Sequence, residues 1–220
     1  MRLEIIKIAF SKNRLTYSIP IILLYVIFPI IGYSEYCHSG QDNSLYTIIF
    51  TTQALFPLSC LLLPMAHFVI WYAPNSTEVL ITSTPNHCSC TGEVMCFCIY
   101  IALILFPVSL LLNLLYGPLL LEFVRLYAQC VFSISLFYLC TVIFKNTTLG
   151  VLPITVYLFL CICLNDLPEF NIISILDLQS LATSDSLRKY ILQYITSLIL
   201  LILGNKVERN MRITTGCKKM

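Results

Sequence analysis

The chain has 220 residues, 58% hydrophobic and only 11% charged, with a formal net charge of +2 and a mean hydropathy of +0.86. Soluble domains carry about 25% charged residues, so this composition excludes a soluble enzyme or nucleic-acid binder and points to an all-α polytopic membrane protein. No mostly polar stretch approaches the roughly 50 residues of an independent soluble domain, so any soluble module or energy source belongs to another chain.

Residues Met1 to Arg14 mix apolar Leu3, Ile5, Ile6, Ile8, Ala9 and Phe10 with Arg2, Glu4, Lys7 and Lys12. A helix sorts these into two faces, so residues 1–14 read as an interfacial helix with its basic side toward anionic lipid. The apolar run Leu15 to Tyr33 is long for a signal-peptide core and no small-x-small site follows Gly32, so it reads as the first span. Ser34 to Leu45 reads as a short external loop. The second span, Tyr46 to Trp71, holds Gln53, Pro57, Pro64 and His67. Prolines remove backbone donors and bend a membrane helix where neighbours or cavity water satisfy the freed carbonyls. Gln53, Pro57 and His67 are thus candidates to line a pathway, a plain packing kink being the alternative.

Tyr72 to Glu93 is a polar island without Lys or Arg. Within it Ser76 or Thr77 can cap a short helix carrying Glu78, Val79, Leu80 and Ile81, which Pro85 ends. The third span, Val94 to Tyr116, closes on Gly117-Pro118, a turn tight enough to force the fourth span, Leu119 to Phe144, antiparallel to it. Glu122 and Arg125 stand three apart on one face of that helix and can pair. Charge at a membrane centre costs about 2.5–3.5 kcal/mol, so the pair reads as an outer-rim ion pair that sets helix depth, with a substrate-facing role as the alternative. Lys145 to Thr148 is an internal turn and Leu149 to Leu164 a short fifth span. Residues 165–189 mix Asp166, Glu169, Asp177 and Asp185 with Phe170, Ile172, Ile173, Ile175, Leu176, Leu178 and Leu181, which reads as an extracellular re-entrant-like segment. The sixth span is Leu187 to Leu203, and Gly204 to Met220 is a basic tail.

Ten of the thirteen Lys and Arg fall before the first span, in the Lys145 turn or in the tail; Arg125, Arg188 and Lys189 fall on the other side. The positive-inside rule then places both termini in the cytoplasm and requires an even number of spans. Six satisfy it, giving a six-transmembrane-helix bundle in the cell (plasma) membrane.

Most of the eleven cysteines lie in apolar segments, where a thiol behaves as a small hydrophobe; a Cys37–Cys163 bridge is the open exception. His87, Cys88 and Cys90, with Cys96 and Cys98 beyond, are weak metal candidates, because both cysteine pairs are C-x-C rather than C-x-x-C. Cys96 and Cys98 also diverge by about 200° around a helix. No H-E-x-x-H surrounds His67, and neither G-x-S-x-G nor a Walker sequence occurs. The chain therefore reads as non-enzymatic, with no catalytic residues and no cofactor of its own. Asn75 and Asn146 head glycosylation acceptor triplets, both cytoplasmic on this topology.

The order of parts resembles the permease subunits of type-2 ATP-binding-cassette (ABC) transporters, of the bacterial half-transporter kind. The resemblance rests on the amphipathic start, the loop Ser76-Thr77-Glu78-Val79-Leu80-Ile81-Thr82-Ser83-Thr84-Pro85, the outer segment before the last span and the ending Leu203-Gly204-Asn205-Lys206-Val207-Glu208-Arg209. It implies that Glu78, Val79, Leu80 and Ile81 form a coupling helix that docks on a separate ABC ATPase subunit. Asn86, His87 and Cys88 stand where that loop usually has basic residues, leaving a neutral helix that docks by apolar burial. It further implies a second permease subunit, as homodimer or heterodimer, and a substrate that is a bacteriocin-like peptide, a lipid or a drug. An ATP-independent carrier, an immunity-type membrane protein and an intramembrane enzyme are the competing classes.

Overall fold

A computed structural model describes residues 14–72, 90–116, 119–164, 174, 176 and 187–217. The interfacial helix expected before Arg14, the coupling loop between Tyr72 and Cys90 and most of the outer segment lie outside these residues. Those described form helices α1 (Arg14–Ile22), α2 (Phe28–Ser39), α3 (Gln41–Tyr72), α4 (Thr91–Tyr116), α5 (Leu120–Phe144), α6 (Thr147–Cys163) and α7 (Leu187–Cys217), and no strand occurs among them. Five runs are long and apolar enough to cross a membrane: Arg14–His38, Asn43–Val69, Thr91–Leu115, Leu120–Phe144 and Leu187–Asn210. The protein is thus a helical membrane protein by length and composition. Helix α6 is shorter, at 17 residues.

A π-helical turn, Leu23–Ile27, joins α1 to α2, and the Phe28 N–H donates to the Leu23 carbonyl five residues back. Pro29 supplies the cause: it lacks an N–H, and its ring crowds the carbonyl of Tyr25 four residues before, so the helix opens into a wider turn. The external loop expected over Ser34 to Leu45 contracts to Gly40 alone. Its φ of 91° with ψ of −178° is a conformation essentially reserved for glycine, and it reverses the chain in one residue. Beyond the turn, Ser44 donates to the Gly32 carbonyl at 2.7 Å, and the missing Cβ of Gly32 leaves room for Ile48.

At the other end of the bundle Lys145 closes α5 with a left-handed φ of 52°. Asn146 then caps α6, its side chain accepting from the Thr148 and Leu149 N–H groups at 2.8 and 3.4 Å. The last helix differs most from expectation. The tail read from Gly204 onward continues as helix to Cys217, because packing against α5 carries it past the apolar segment.

Pairwise contacts give the topology. Helices α5 and α7 run parallel, since Tyr194 Oη donates to the Val124 carbonyl and Tyr138 Oη to Glu208, both at a separation of 70 residues. Helix α6 runs antiparallel to α5, with Gly150 against Thr141 and the rings of Tyr157 and Phe132 6.2 Å apart. Helix α4 is likewise antiparallel to α5, with Thr91 beside Tyr138 and Phe106 beside Phe123. The α1–α2 unit parallels α4, where Tyr100 donates to the Tyr17 carbonyl and Tyr25 to the Ile104 carbonyl. Arg14, Tyr72, Thr91, Phe144 and the C-terminal part of α7 therefore share one end, here the proximal end; Gly40, Leu119 and Leu187 mark the distal end.

Helix α5 is the hub, packed by α3, α4, α6 and α7. The core centres on Phe56, Phe68, Phe97, Phe137 and Tyr138, all buried. Apolar side chains such as Leu103, Leu114, Phe159 and Ile202 face outward, as lipid contact requires. Cys37 and Cys163 are free and exposed, so the bridge left open by their spacing does not form. Cys96 is exposed and Cys98 buried, as their angular divergence on α4 demands.

Candidate functional site

Two polar features interrupt the apolar interior, one at each end. The proximal feature is built around the N-terminus of α4. His67, in the last two turns of α3, places Nε2 2.8 Å from Oε2 of Glu93, in the first turn of α4. The imidazole is held edge-on by Phe68 and Phe97, at ring distances of 6.0 and 5.7 Å. His67 and Glu93 are only 1% and 5% exposed. Burial of this kind makes a satisfied pair a rigid element and a broken one expensive.

Glu208 reaches the same helix end from α7. Its two carboxylate oxygens lie 3.3 and 3.2 Å from the Cys90 N–H, and it accepts from Tyr138 Oη at 2.5 Å. The Tyr138 proton being committed to Glu208, Thr91 Oγ1 donates to Tyr138 Oη at 3.1 Å. The chain Cys90–Glu208–Tyr138–Thr91 thus closes on itself around the start of α4. Two carboxylates, Glu93 and Glu208, stand where the helix dipole and its unpaired N–H groups favour negative charge. The close approach of α7 to α5 here depends on Gly204: a Cβ at that position would lie 2.6 Å from Cε1 of Tyr138.

The distal feature is a cavity of about 650 Å³ between α1–α2, α3, α4 and α5. Its lining is mainly leucine, isoleucine and aromatic, with Gln53 and Glu122 among the few polar side chains. Gln53 accepts from Gln129 Nε2 at 3.2 Å, and Arg125 Nη2 pairs with Glu122 Oε2. Glu122 and Arg125 therefore do pair across one helical turn, but not at an exposed rim. Arg125 is 0% exposed, because α5 turns the face carrying Arg125, Gln129 and Ser133, residues four apart, into the bundle.

No family model, curated protein or solved structure matches the chain. Its function therefore has to be argued from these two features.

Gln53, Pro57 and His67, grouped by sequence as pathway-lining, separate. Gln53 lines the cavity; Pro57 is buried within α3 outside its lining. His67 stands fourteen residues from Gln53, about 21 Å along the helix, in the proximal network. Of the metal candidates, Cys90 contributes its backbone N–H to Glu208, while His87 and Cys88 lie outside the described residues, as do Glu78, Val79, Leu80 and Ile81. Among the described residues no three His, Cys, Asp or Glu side chains converge on a point that could hold a metal ion. Sequence reasoning missed Glu93, Tyr138 and Glu208. The available signal was two glutamates placed beside or within helix ends that must remain apolar, each implying a compensating partner.

Proposed function

We propose that the chain is the membrane-spanning permease subunit of an ATP-driven exporter of the type-2 ABC kind, working with a separate ATPase subunit and a second permease. The observation that supports this most directly is the proximal network. The loop between α3 and α4 ends at Cys90, and from Cys90 to Glu93 the chain is bonded to α3 through His67, to α5 through Tyr138 and to α7 through Glu208. Any displacement of that loop by a partner is delivered to four helices at once, as a coupling element requires.

On this reading all six helical passes cross the plasma membrane, α6 included; its 17 residues span about 26 Å, close to the ~30 Å hydrocarbon core. The proximal end faces the cytoplasm, in keeping with Arg14, Lys145, Lys206 and Arg209 there. Glu78, Val79, Leu80 and Ile81 form the contact with the ATPase. The cavity on the distal side is where cargo resides before release.

Affinity purification of the full-length chain in mild detergent tests the proposal. A stoichiometric cassette ATPase should co-elute and should be lost in Glu78→Lys. A chain that elutes alone from membranes expressing its genomic neighbours, or a Glu78→Lys variant that retains the ATPase and transports normally, refutes it.

A further inference from the structure

Three thiols from three helices meet in the middle of the bundle. Cys60 on α3, Cys98 on α4 and Cys130 on α5 are 0%, 5% and 0% exposed, and all three are free. The helix pairings set them at one depth. Thr91 lies beside Tyr138 and Phe106 beside Phe123, so Cys98 is level with Val131, the neighbour of Cys130. Gln53 meets Gln129 and Phe68 meets Phe137, which brings Cys60, between them on α3, to the same section of α5. The Cys60 and Cys130 thiols are hydrogen-bond partners, with Cys98 in electrostatic reach of both.

The cluster continues the distal cavity inward. Gln53, Leu105 and Leu126 line that cavity. Cys60 stands seven residues from Gln53, Cys98 seven from Leu105 and Cys130 four from Leu126, each on the same helix face as its partner and displaced toward the proximal end. The thiols therefore lie about 6–11 Å beneath the lining, and the cavity leads toward them. Pro57 and Pro64 bracket Cys60 within α3 and remove the helical bonds to the Gln53 and Cys60 carbonyls, so the helix can yield there as two sulfurs draw together.

The chemistry of the cluster narrows its ligand. The side chains that act on Cys98 and Cys130 are other thiols rather than a Lys, Arg or His, so nothing activates them as nucleophiles. Zinc and iron–sulfur sites take about four ligands, and among the described residues no three His, Cys, Asp or Glu side chains converge on one point. A pair of sulfurs without nitrogen or carboxylate oxygen selects a soft ion, and Cu(I) is the soft ion that two sulfurs alone satisfy.

We propose that Cys60 and Cys130 bind one Cu(I) between them, as a two-coordinate site beneath the distal cavity. Copper forms a bond to each sulfur, one thiol proton leaves to solvent and the other stays. No electron moves, and the site remains neutral. Neutrality matters because an uncompensated buried charge costs several kcal/mol. The assignment concerns this chain alone and does not rest on the transport reading.

Copper retention tests it. The full-length chain, with Cys37, Cys88, Cys96, Cys163 and Cys217 replaced by serine, is held in phosphatidylcholine nanodiscs under argon, loaded with Cu(I) and challenged with the chelator bicinchoninate. One Cu(I) per chain should be retained, X-ray absorption should show two sulfur neighbours, and Zn(II) should not displace it. Cys60→Ser and Cys130→Ser should each lose the ion, whereas Cys98→Ser should keep it. Because either ligand variant can misfold, the site is also located without mutating the pair: Cu(I) should slow alkylation by N-ethylmaleimide, mapped by mass spectrometry, at Cys60 and Cys130 and leave Cys140 and Cys161 unchanged. Loss of the copper to the chelator, a nitrogen, oxygen or third sulfur ligand, retention in folded Cys60→Ser or Cys130→Ser, or protection at other cysteines in place of this pair overturns the assignment.

Discussion

Removing the Tyr138 hydroxyl and the Glu208 carboxylate, singly and together, measures how firmly the start of α4 is held. Tyr138→Phe deletes a 2.5 Å bond to a carboxylate and the 3.1 Å bond from Thr91. Glu208→Ala deletes the first of these and the Cys90 contacts at 3.2 and 3.3 Å. Hydrogen bonds to charged groups contribute about 1.5–3 kcal/mol, whereas side-chain bonds between membrane helices average about 0.6 and reach about 1.7, because the unfolded chain in lipid also finds partners. The short bond, the charged acceptor and the burial of Glu208 place this pair near the upper end, at a coupling of about 1.5 kcal/mol. Single losses of about 2 and 3 kcal/mol should then combine to about 3.5 in the double variant, rather than the 5 of simple addition. Titration of detergent-solubilised protein with sodium dodecyl sulfate, followed by circular dichroism, yields the four free energies of the cycle. Additivity within about 0.5 kcal/mol would show that Tyr138 and Glu208 do not interact and would remove the closed ring around α4.

Three further outcomes follow from the same geometry. His67→Leu strands the buried Glu93 carboxyl group and should cost about 3 kcal/mol, while His67→Leu with Glu93→Leu should recover most of the loss, since an apolar pair replaces a buried hydrogen-bonded one at little cost; the same titration reads both. Gly204→Ala puts a Cβ 2.6 Å from the Tyr138 ring and should destabilise by about 1–3 kcal/mol through overpacking, an effect that shrinks in a Tyr138→Ala background. Asn146→Ala removes the cap of α6 and should cost about 1 kcal/mol, visible as a lower midpoint of thermal unfolding in detergent, with Asn146→Asp close to wild type.

The apolar segments were legible because membrane-length runs of hydrophobic residues admit few alternatives, and the short Gly117-Pro118 connection dictates that α4 and α5 lie side by side. The Glu122–Arg125 pair was legible for a different reason, as a spacing local to one helix. Its burial was not, because which face of α5 points inward is decided by four neighbouring helices. The glutamates of the proximal network signalled that partners were needed, but not which: His67 and Glu93 are 26 residues apart, Cys90 and Glu208 118, and nothing local links them. Helix ends were the other weak point. Gly204-Asn205-Lys206 resembles a terminator, yet α7 continues through it because Tyr138 occupies the space above Gly204 and Glu208 is bonded one turn later. Similarly, the polar run near Glu35 and Asp42 suggested a loop where a single glycine suffices.

The constant separation of 70 residues between partners on α5 and α7 carries a consequence for how the gene can change. Each added residue turns everything beyond it by about 100°. One codon inserted between Val124 and Tyr138, or between Tyr194 and Glu208, would preserve the distal bond and swing one proximal partner away from the other. The two intervals must therefore lengthen or shorten together, so these stretches should tolerate substitution far better than insertion or deletion, and only matched changes in both should survive selection for the folded protein.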